Sequence, residues 1–394
     1  MNNKRKISII GGAGHVGFPL GLIFSSKGYK VSLVDKNEEN IRKINKGAPP
    51  FLEDGSKFLL KKMLKYKRIK ATNKIHDVKN SKYIIICIGT PIDKNLDPKL
   101  KNFLNFFKSL KNHINKSQII IIRSSIYPGT CLKVQKLLGK KFKNISYCPE
   151  RVVQGKSISE LPKLPQIVSG LSENSINRSK VLFKLICNKI IITTILEAEL
   201  TKLFSNAWRY INFSISNQFY NICENLDINF RSLRKNMIEG YERNKSMPMA
   251  GFAAGPCLYK DTAQLNAFLK NSFTLGIAAT KINQSFPKAI YSKMFHKFKS
   301  NLFKKKIGIL GLAFKSDIDD TRDSLSLNLY RLLKKKKLNV KISDDFVDMK
   351  GLINKKELIK KCDIIILGVP HSTYKNIKIP KNKYLIDSWG FFEK

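Results

Sequence analysis

The chain has 394 residues, too many for one compact core of ordinary size; at about 150 residues per domain it holds two or three. Hydrophobic residues at 43% and charged residues at 26% are ordinary globular values, which excludes a disordered, collagen-like or coiled-coil chain. Lys and Arg number 73 against 29 Asp and Glu, and the resulting net charge of +44 would attract polyanions at low salt whatever the fold.

From residue 1 to 195, short β-branched runs alternate with amphipathic stretches: Ile7–Ile10, Lys30–Asp35, Tyr83–Ile88, Gln118–Ile122, Ile145–Tyr147 and Ile190–Thr193. This alternation predicts βαβ units and a parallel sheet. From 196 to 300 the pattern turns helical, with an apolar stripe of Leu200, Leu203, Phe204, Ala207, Ile211, Ile215 and Phe219 at three- and four-residue steps. From 301 to 394 the alternation resumes in Ile307–Leu310, Val340–Ser343, Asp363–Gly368 and Tyr384–Asp387, which predicts a second, smaller α/β domain.

The positive excess does not itself point to nucleic acid. It is mostly Lys and is spread along the chain with abundant Asn, Ile and Phe, as an A+T-rich coding sequence would produce. No zinc-finger spacing, RNA-binding aromatic signature or distinct basic tail accompanies it, so no specific nucleic-acid partner is expected. Seven Cys, odd in number and without a C-x-x-C pair, point to reduced thiols and no metal site. The start is basic, but the apolar run Ile7–Ile10 is too short for a signal-peptide core, and no stretch reaches the roughly 18 apolar residues of a membrane span. A soluble, cytoplasmic chain with no membrane partner is expected.

Gly12-Ala13-Gly14-His15-Val16-Gly17 follows the first predicted strand and opens a helical stretch, Phe18–Lys27. Glycines so spaced allow a tight turn, backbone approach to a pyrophosphate and close helix–sheet packing, while the helix N-terminus offers N–H donors. The next strand ends in Asp35, where a carboxylate can accept from a ribose 2′-hydroxyl and would repel a 2′-phosphate. The cofactor expected is therefore NAD rather than NADP.

The second motif is Gly251-Phe252-Ala253-Ala254-Gly255-Pro256-Cys257-Leu258-Tyr259-Lys260-Asp261. Pro256 suits a first helical turn, which would put Cys257 at a helix N-terminus, where partial positive charge and Lys260 favour the thiolate. Asp261 would lie one turn on. A third constellation is Glu199, Lys202 and Asn206 on the first helix of the middle region, opposite its apolar stripe; either it is a solvated face or it offers an ammonium and an amide to a developing oxyanion. Cys148-Pro149-Glu150-Arg151, Arg123–Gly129 and Gly308–Lys315 are further candidates that could each be a loop and nothing more.

In order, Gly12-x-Gly14-x-x-Gly17, Gly89-Thr90-Pro91, Ser124-Ser125 with Pro128-Gly129, Pro149-Glu150, Glu199-Leu200-x-Lys202-x-x-x-Asn206, Gly255-Pro256-Cys257 with Lys260-Asp261, and Gly311–Lys315 with Asp320-Thr321-Arg322 resemble the nucleotide-sugar dehydrogenase family, which includes UDP-glucose 6-dehydrogenase, UDP-N-acetylmannosamine dehydrogenase and GDP-mannose dehydrogenase. The resemblance implies an α/β protein with an N-terminal NAD-binding Rossmann domain (1–195), a helical central dimerisation domain (196–300) and a C-terminal Rossmann-like UDP-sugar-binding domain (301–394). It implies oxidation of a UDP-sugar at C6 from alcohol to carboxylate with two NAD+ reduced, by way of a thiohemiacetal and thioester on Cys257, to supply a UDP-uronic acid for polysaccharide synthesis. Lys202 and Asn206 would stabilise oxyanions, Asp261 would position water, Glu150 would be the acid–base group, and Ser125 would stand where UDP-glucose enzymes commonly have threonine.

Cofactor contacts are implied at Gly12, Gly14, His15, Val16, Gly17, Asp35, Thr90 and Arg322, and substrate contacts at Glu150, Arg151, Val152, Lys202, Asn206, Gly255 and Lys315. The run Cys148–Val153 with Gly155-Lys156 and Glu160-Leu161 looks closer to N-acetylhexosamine-type enzymes than to UDP-glucose ones, and a homodimer or higher homo-oligomer is implied. Ala253-Ala254-Gly255-Pro256 departs from the more glycine-rich family run. Two alternatives compete: a two-electron hydroxyacid-type NAD dehydrogenase, which would not need Cys257, and a basic nucleic-acid-binding protein on a Rossmann scaffold.

Overall fold

The computed structural model describes residues 5–90 and 99–392, and these divide into two compact units, the first ending at Ser205 and the second beginning at Asn206. The first unit is built on eight strands, β1 (Lys6–Ile10), β2 (Lys30–Val34), β3 (Ile69–Thr72), β4 (Tyr83–Ile86), β5 (Ile119–Ile122), β6 (Ile145–Tyr147), β7 (Gln166–Gly170) and β8 (Ile190–Ile192), in the spatial order β3-β2-β1-β4-β5-β6-β7-β8. Every residue of β4 and β5 is buried, as runs of isoleucine must be when helices cover both faces of a parallel sheet.

The chain reverses direction of travel across the sheet between β1 and β4. This doubly wound order opens a crevice at the carboxyl ends of those two strands, where such sheets bind ligands. Two features differ from the sequence expectation. β3 and β7 are strands that no apolar run announces, and β7 is antiparallel to β6, with Ser146 opposite Gly170. An antiparallel neighbour needs no crossover to the far edge, so residues 148–165 stay at the carboxyl end of the sheet, beside the crevice.

In the second unit the helices Phe230–Ile238, Pro256–Phe268 and Thr274–Phe298 precede a wholly parallel sheet of β9 (Lys306–Leu310), β10 (Asn339–Ser343), β11 (Ile364–Leu367) and β12 (Tyr384–Ile386), ordered β10-β9-β11-β12. Its core joins Ile307, Ile309, Ile364 and Ile366 of the strands to Phe286, Ile290 and Met294 of the helix Thr274–Phe298. The long helix Ile195–Asn225 breaks the simplest amphipathic expectation. Leu203 and Ala207 of its apolar stripe are buried, yet Phe204, Ile215 and Phe219 are exposed, while Glu199 and Asn206 on the supposedly solvated face are buried.

Among the described residues, no helix is long and apolar enough to cross a membrane.

Candidate active site

Residues 11–16 link β1 to the helix Gly17–Ser26, and space alone decides two of the three motif glycines. A Cβ on Gly12 would stand 2.6 Å from the Ile9 carbonyl oxygen, and one on Gly17 2.4 Å from that of Gly11, whereas Gly14 meets only the Gly11 oxygen at 3.4 Å. Gly12 and Gly17 therefore close the turn against the strand, and the backbone at Gly14 stays approachable. Val16 gives the helix no side-chain cap and its first turn holds no acidic residue, so the chain itself leaves the positive end of the dipole uncompensated.

Asp35, directly after β2, accepts from the backbone N–H groups of Ala13 and Asn37, each at 3.0 Å. A carboxylate has about four acceptor positions, so two remain for a ligand hydroxyl. The His15 ring lies on Phe51, 3.9 Å between centroids. Thr90 donates its hydroxyl to the Ser125 carbonyl, joining the segments after β4 and β5. Pro91, in the same motif, lies outside the described residues.

Beside this loop, Arg123 is 1% exposed. Its Nε and Nη2 donate to Glu150 Oε2 at 2.8 and 2.5 Å, its Nη1 donates to Gln166 Oε1 at 2.8 Å and to the Cys148 carbonyl at 3.1 Å, and its guanidinium lies over Phe183 at 5.1 Å. The other Glu150 oxygen accepts from the Arg151 and Val152 N–H groups at 2.7 and 2.9 Å. A buried charge costs heavily unless it is paired and hydrogen-bonded, and this pair is satisfied on both sides. Arg151 in turn donates to the Pro165 carbonyl. The sequence marks Arg123 as part of a loop but gives no sign that it is the counter-ion of Glu150.

Glu199 belongs with neither Lys202 nor Asn206. Its carboxylate accepts from the Gly129 and Cys131 N–H groups at 2.6 and 3.0 Å, capping the helix Thr130–Leu138, and burial pushes its pKa up. Lys202, half-buried, follows on the same helix one turn before Asn206.

In the second unit Cys257 is the second residue of the helix Pro256–Phe268 and is exposed. The other six cysteines are buried or half-buried, and burial pushes their thiols up, Cys87 and Cys148 to about 12 and Cys362 to about 11. Since the thiolate is the nucleophile, burial disfavours reaction at those six thiols. Gly255, at φ +98°, caps the helix, and a Cβ there would stand 2.4 Å from the Phe314 ring. Gly251 is closed in the same way by Trp389 at 2.5 Å, so glycine is required at 251 and 255, and the alanines at 253 and 254 fall where a methyl is accommodated.

Two buried amides that sequence reading missed hold this run. Asn217 accepts from the Gly251 N–H at 2.8 Å and donates to Asn283 at 2.9 Å, and Asn283 donates to the Tyr210 carbonyl at 3.0 Å.

Asp261, one turn beyond Cys257, is fully buried; its Oδ2 accepts from Asn206 Nδ2 at 2.6 Å and its Oδ1 lies 3.6 Å from Lys260 Nζ. Among the described residues no hydrogen-bond donor reaches that Oδ1. After β9, Phe314 donates its N–H to the Asp320 carbonyl at 2.9 Å, Lys315 follows half-buried, and the Asp320 carboxylate accepts from Arg322 Nε at 3.0 Å.

The first unit thus holds Gly12, Gly14, His15, Val16, Gly17, Asp35, Thr90, Ser125, Glu150, Arg151, Val152 and Lys202, and the second Asn206, Gly255, Cys257, Asp261, Lys315 and Arg322.

Three domains of one family match this chain: the NAD binding domain over residues 5–187, the central domain over 196–285 and the UDP binding domain over 308–394. The chain belongs to the UDP-glucose/GDP-mannose dehydrogenase family. It is an NAD-dependent nucleotide-sugar dehydrogenase, and the loop geometry around Gly14 and Asp35 fits that cofactor. Within the family, a UDP-N-acetyl-D-mannosamine dehydrogenase of Pyrococcus horikoshii is 28% identical over 401 residues, covering 97% of this chain and 94% of the relative. A UDP-glucose 6-dehydrogenase of Rickettsia felis is 27% identical over 381 residues, covering 93% and 84%. The solved structure of the Pyrococcus horikoshii UDP-D-ManNAc dehydrogenase matches with a TM-score of 0.86 at 27% identity, over 95% of this chain and 91% of that one.

Proposed function

We propose that this enzyme carries a UDP-sugar through two successive oxidations at C6, from primary alcohol to carboxylate, yielding a UDP-uronic acid of the kind that polysaccharide synthesis consumes. The observation that carries the reading is the exposed Cys257 at a helix N-terminus, one turn from a buried Asp261 that is hydrogen-bonded to Asn206.

Gly12, Gly14, His15, Val16, Gly17, Asp35, Thr90 and Arg322 would hold the cofactor. When bound, NAD+ accepts the hydride that C6 gives up in each of the two oxidations. After the first, Cys257 Sγ adds to the aldehyde carbon, a C–S bond forms and the carbonyl oxygen becomes an alkoxide that Lys202 and Asn206 stabilise before it takes up a proton. The adduct keeps the aldehyde from diffusing away while the cofactor exchanges. After the second oxidation C6 is a thioester. Water held at Asp261 adds to it, the C–S bond breaks, the thiol is regenerated and the carboxylate remains, with Glu150 as the acid–base group of that step, backed by Arg123. Glu150, Arg151, Val152, Gly255 and Lys315 would contact the substrate.

A UDP-N-acetylhexosamine is the favoured sugar over UDP-glucose. The run Cys148–Val153 supports this, as does the naming of several full-length relatives as UDP-N-acetyl-D-mannosamine dehydrogenases. The exposed row Phe204, Trp208, Ile215, Phe219 and Ile222 on the helix Ile195–Asn225 supports pairing of two copies through that helix. Cys257→Ser tests the chemistry. Turnover to acid should fall by at least about a thousandfold, a size typical for loss of a covalent nucleophile, while nucleotide-sugar binding by calorimetry persists. Unchanged steady-state turnover would remove the thioester.

A further inference from the structure

Residues 151–158 lead from the segment after β6 into the short helix Ser157–Glu160, and carboxylates take up the first N–H groups of this loop. Glu150 binds those of Arg151 and Val152, and Glu160 binds that of Val153 at 2.7 Å. The third carboxylate comes from far away in sequence. Glu53 accepts from Gly155 N–H at 3.1 Å, from Ser157 Oγ at 3.3 Å and from Ile158 N–H at 3.2 Å, and Asp54 N–H donates back to the Gly155 carbonyl at 3.0 Å. Glu53 is 7% exposed and, among the described residues, no cation pairs with it, so burying this carboxylate is a costly arrangement. Amide and hydroxyl donors make that burial tolerable.

Glu53 sits two residues after Phe51, whose ring lies on His15 of the cofactor loop at 3.9 Å and meets Phe18 edge-on at 5.7 Å. Pro49 and Pro50 stiffen the approach to Phe51. One short segment therefore grips the cofactor loop with an aromatic ring and the 151–158 loop with a carboxylate.

We propose that Glu53 is a positioning residue of the reaction, fixing the 151–158 loop, and that the segment Phe51 to Glu53 ties that loop to the cofactor loop so that the two keep one register. The inference rests on the reading above that Glu150, Arg151 and Val152 contact the sugar, and it adds a residue with no place in that chemistry.

The test is hydrogen–deuterium exchange on the full-length protein, with steady-state kinetics on UDP-N-acetyl-D-mannosamine alongside. Gln at position 53 keeps the shape of the side chain but presents an N–H₂ group to donors, so Glu53→Gln should speed exchange at Gly155 and Ile158 about tenfold, in line with loss of a charge-assisted hydrogen bond. KM for the sugar should rise about tenfold with KM for NAD+ changed less than about twofold. Ser157→Ala, which removes one donor and leaves the carboxylate, should give a smaller change of the same kind and covers the case in which Glu53→Gln does not fold. Phe51→Leu should speed exchange in both loops.

Unchanged exchange at 155–158 in Glu53→Gln or, where that variant does not fold, in Ser157→Ala overturns the anchor. Faster exchange with an unaltered KM for the sugar overturns its part in the reaction, and Phe51→Leu acting on the cofactor loop alone overturns the tie. If the wild-type protein oxidises no UDP-N-acetyl-D-mannosamine, the sugar assignment fails, whereas the exchange data still decide the anchor.

Discussion

The two parallel sheets begin alike and diverge within a few residues. At the end of β1 the Gly11 N–H donates to the Val34 carbonyl at 2.9 Å, and at the end of β9 the Gly311 N–H donates to the Ser343 carbonyl at 2.8 Å. In both units an aspartate follows the neighbouring strand, Asp35 after β2 and Asp344 after β10. Asp35 holds two amides and stays partly exposed. The side chain of Asp344 is fully buried and accepts from the Leu312, Ala313, Phe346 and Val347 N–H groups at 2.6, 3.1, 2.8 and 3.1 Å, with His371 Nε2 at 3.1 Å. The Asp317 N–H donates to His371 Nδ1 at 2.9 Å, which leaves the ring proton on the nitrogen facing Asp344.

The lesson is that one strand–turn–strand start serves two ends. In the first unit the helix begins at Gly17 with a carboxylate still able to accept a ribose hydroxyl. In the second the carboxylate is consumed in sealing the turn, the helix waits until Leu325, and the intervening loop presents Phe314, Lys315 and Arg322.

The largest effect that would sharpen this contrast is on stability. Asp344→Ala strands four amides and a buried imidazole and should cost about 3–5 kcal/mol in urea unfolding, the range for breaking a buried polar pair, whereas Asp35→Ala should cost under about 1 kcal/mol. Equal losses would erase the distinction.

Acid should reveal the same asymmetry. Burial alone would push the Asp344 carboxyl up, but His371 and the amides of Leu312 and Phe346 outweigh it and hold the group down at about 2, below its ordinary 3.8. A carboxyl with a depressed folded-state pKa contributes stability above its unfolded value and loses it as pH falls through the folded one, so about 2–3 kcal/mol should disappear between roughly pH 4 and pH 2. Asp344→Asn should flatten that limb of the stability profile, and an unaltered slope would place the acid-sensitive group elsewhere.

On the cofactor side, Asp35→Asn should raise KM for NAD+ about tenfold or more, as expected for a hydrogen bond to a charged group, with the melting temperature nearly constant. The smallest effect is on cofactor choice. The wild type should use NAD+ in preference to NADP+, and Asp35→Ser should narrow that ratio by about tenfold through loss of like-charge repulsion, readable from kcat/KM for both cofactors.

What could be read from the sequence was local. Gly12 to Gly17 with Asp35, and Pro256-Cys257 with Asp261, are short motifs whose geometry follows from spacing along one turn or one helix, and the strands with uninterrupted isoleucine announce themselves. The strands Ile-Lys-Ala-Thr at 69–72 and Gln-Ile-Val-Ser-Gly at 166–170 carry no such run, so they were invisible until their neighbours paired with them. The residues that hold the site are equally silent, because each acts across the chain. Glu53 reaches Gly155, Arg123 reaches Glu150 and Gln166, Asn217 reaches Gly251, and Asp344 reaches Leu312. Periodicity also cannot tell a core stripe from an exposed apolar row, which is why Phe204 and Phe219 read as interior beside Leu203 and Ala207.

The central claim is a four-electron oxidation through Cys257, and the most direct test counts NADH formed per sugar consumed. Purified protein with NAD+ is offered UDP-glucose, UDP-N-acetylglucosamine, UDP-N-acetylmannosamine and GDP-mannose in turn. Two NADH per sugar, with UDP-N-acetylmannosamine or another UDP-N-acetylhexosamine as the preferred substrate, is the predicted result. One NADH per sugar, with an aldehyde or ketone as the product, would contradict the account and return Cys257 to an ordinary exposed thiol.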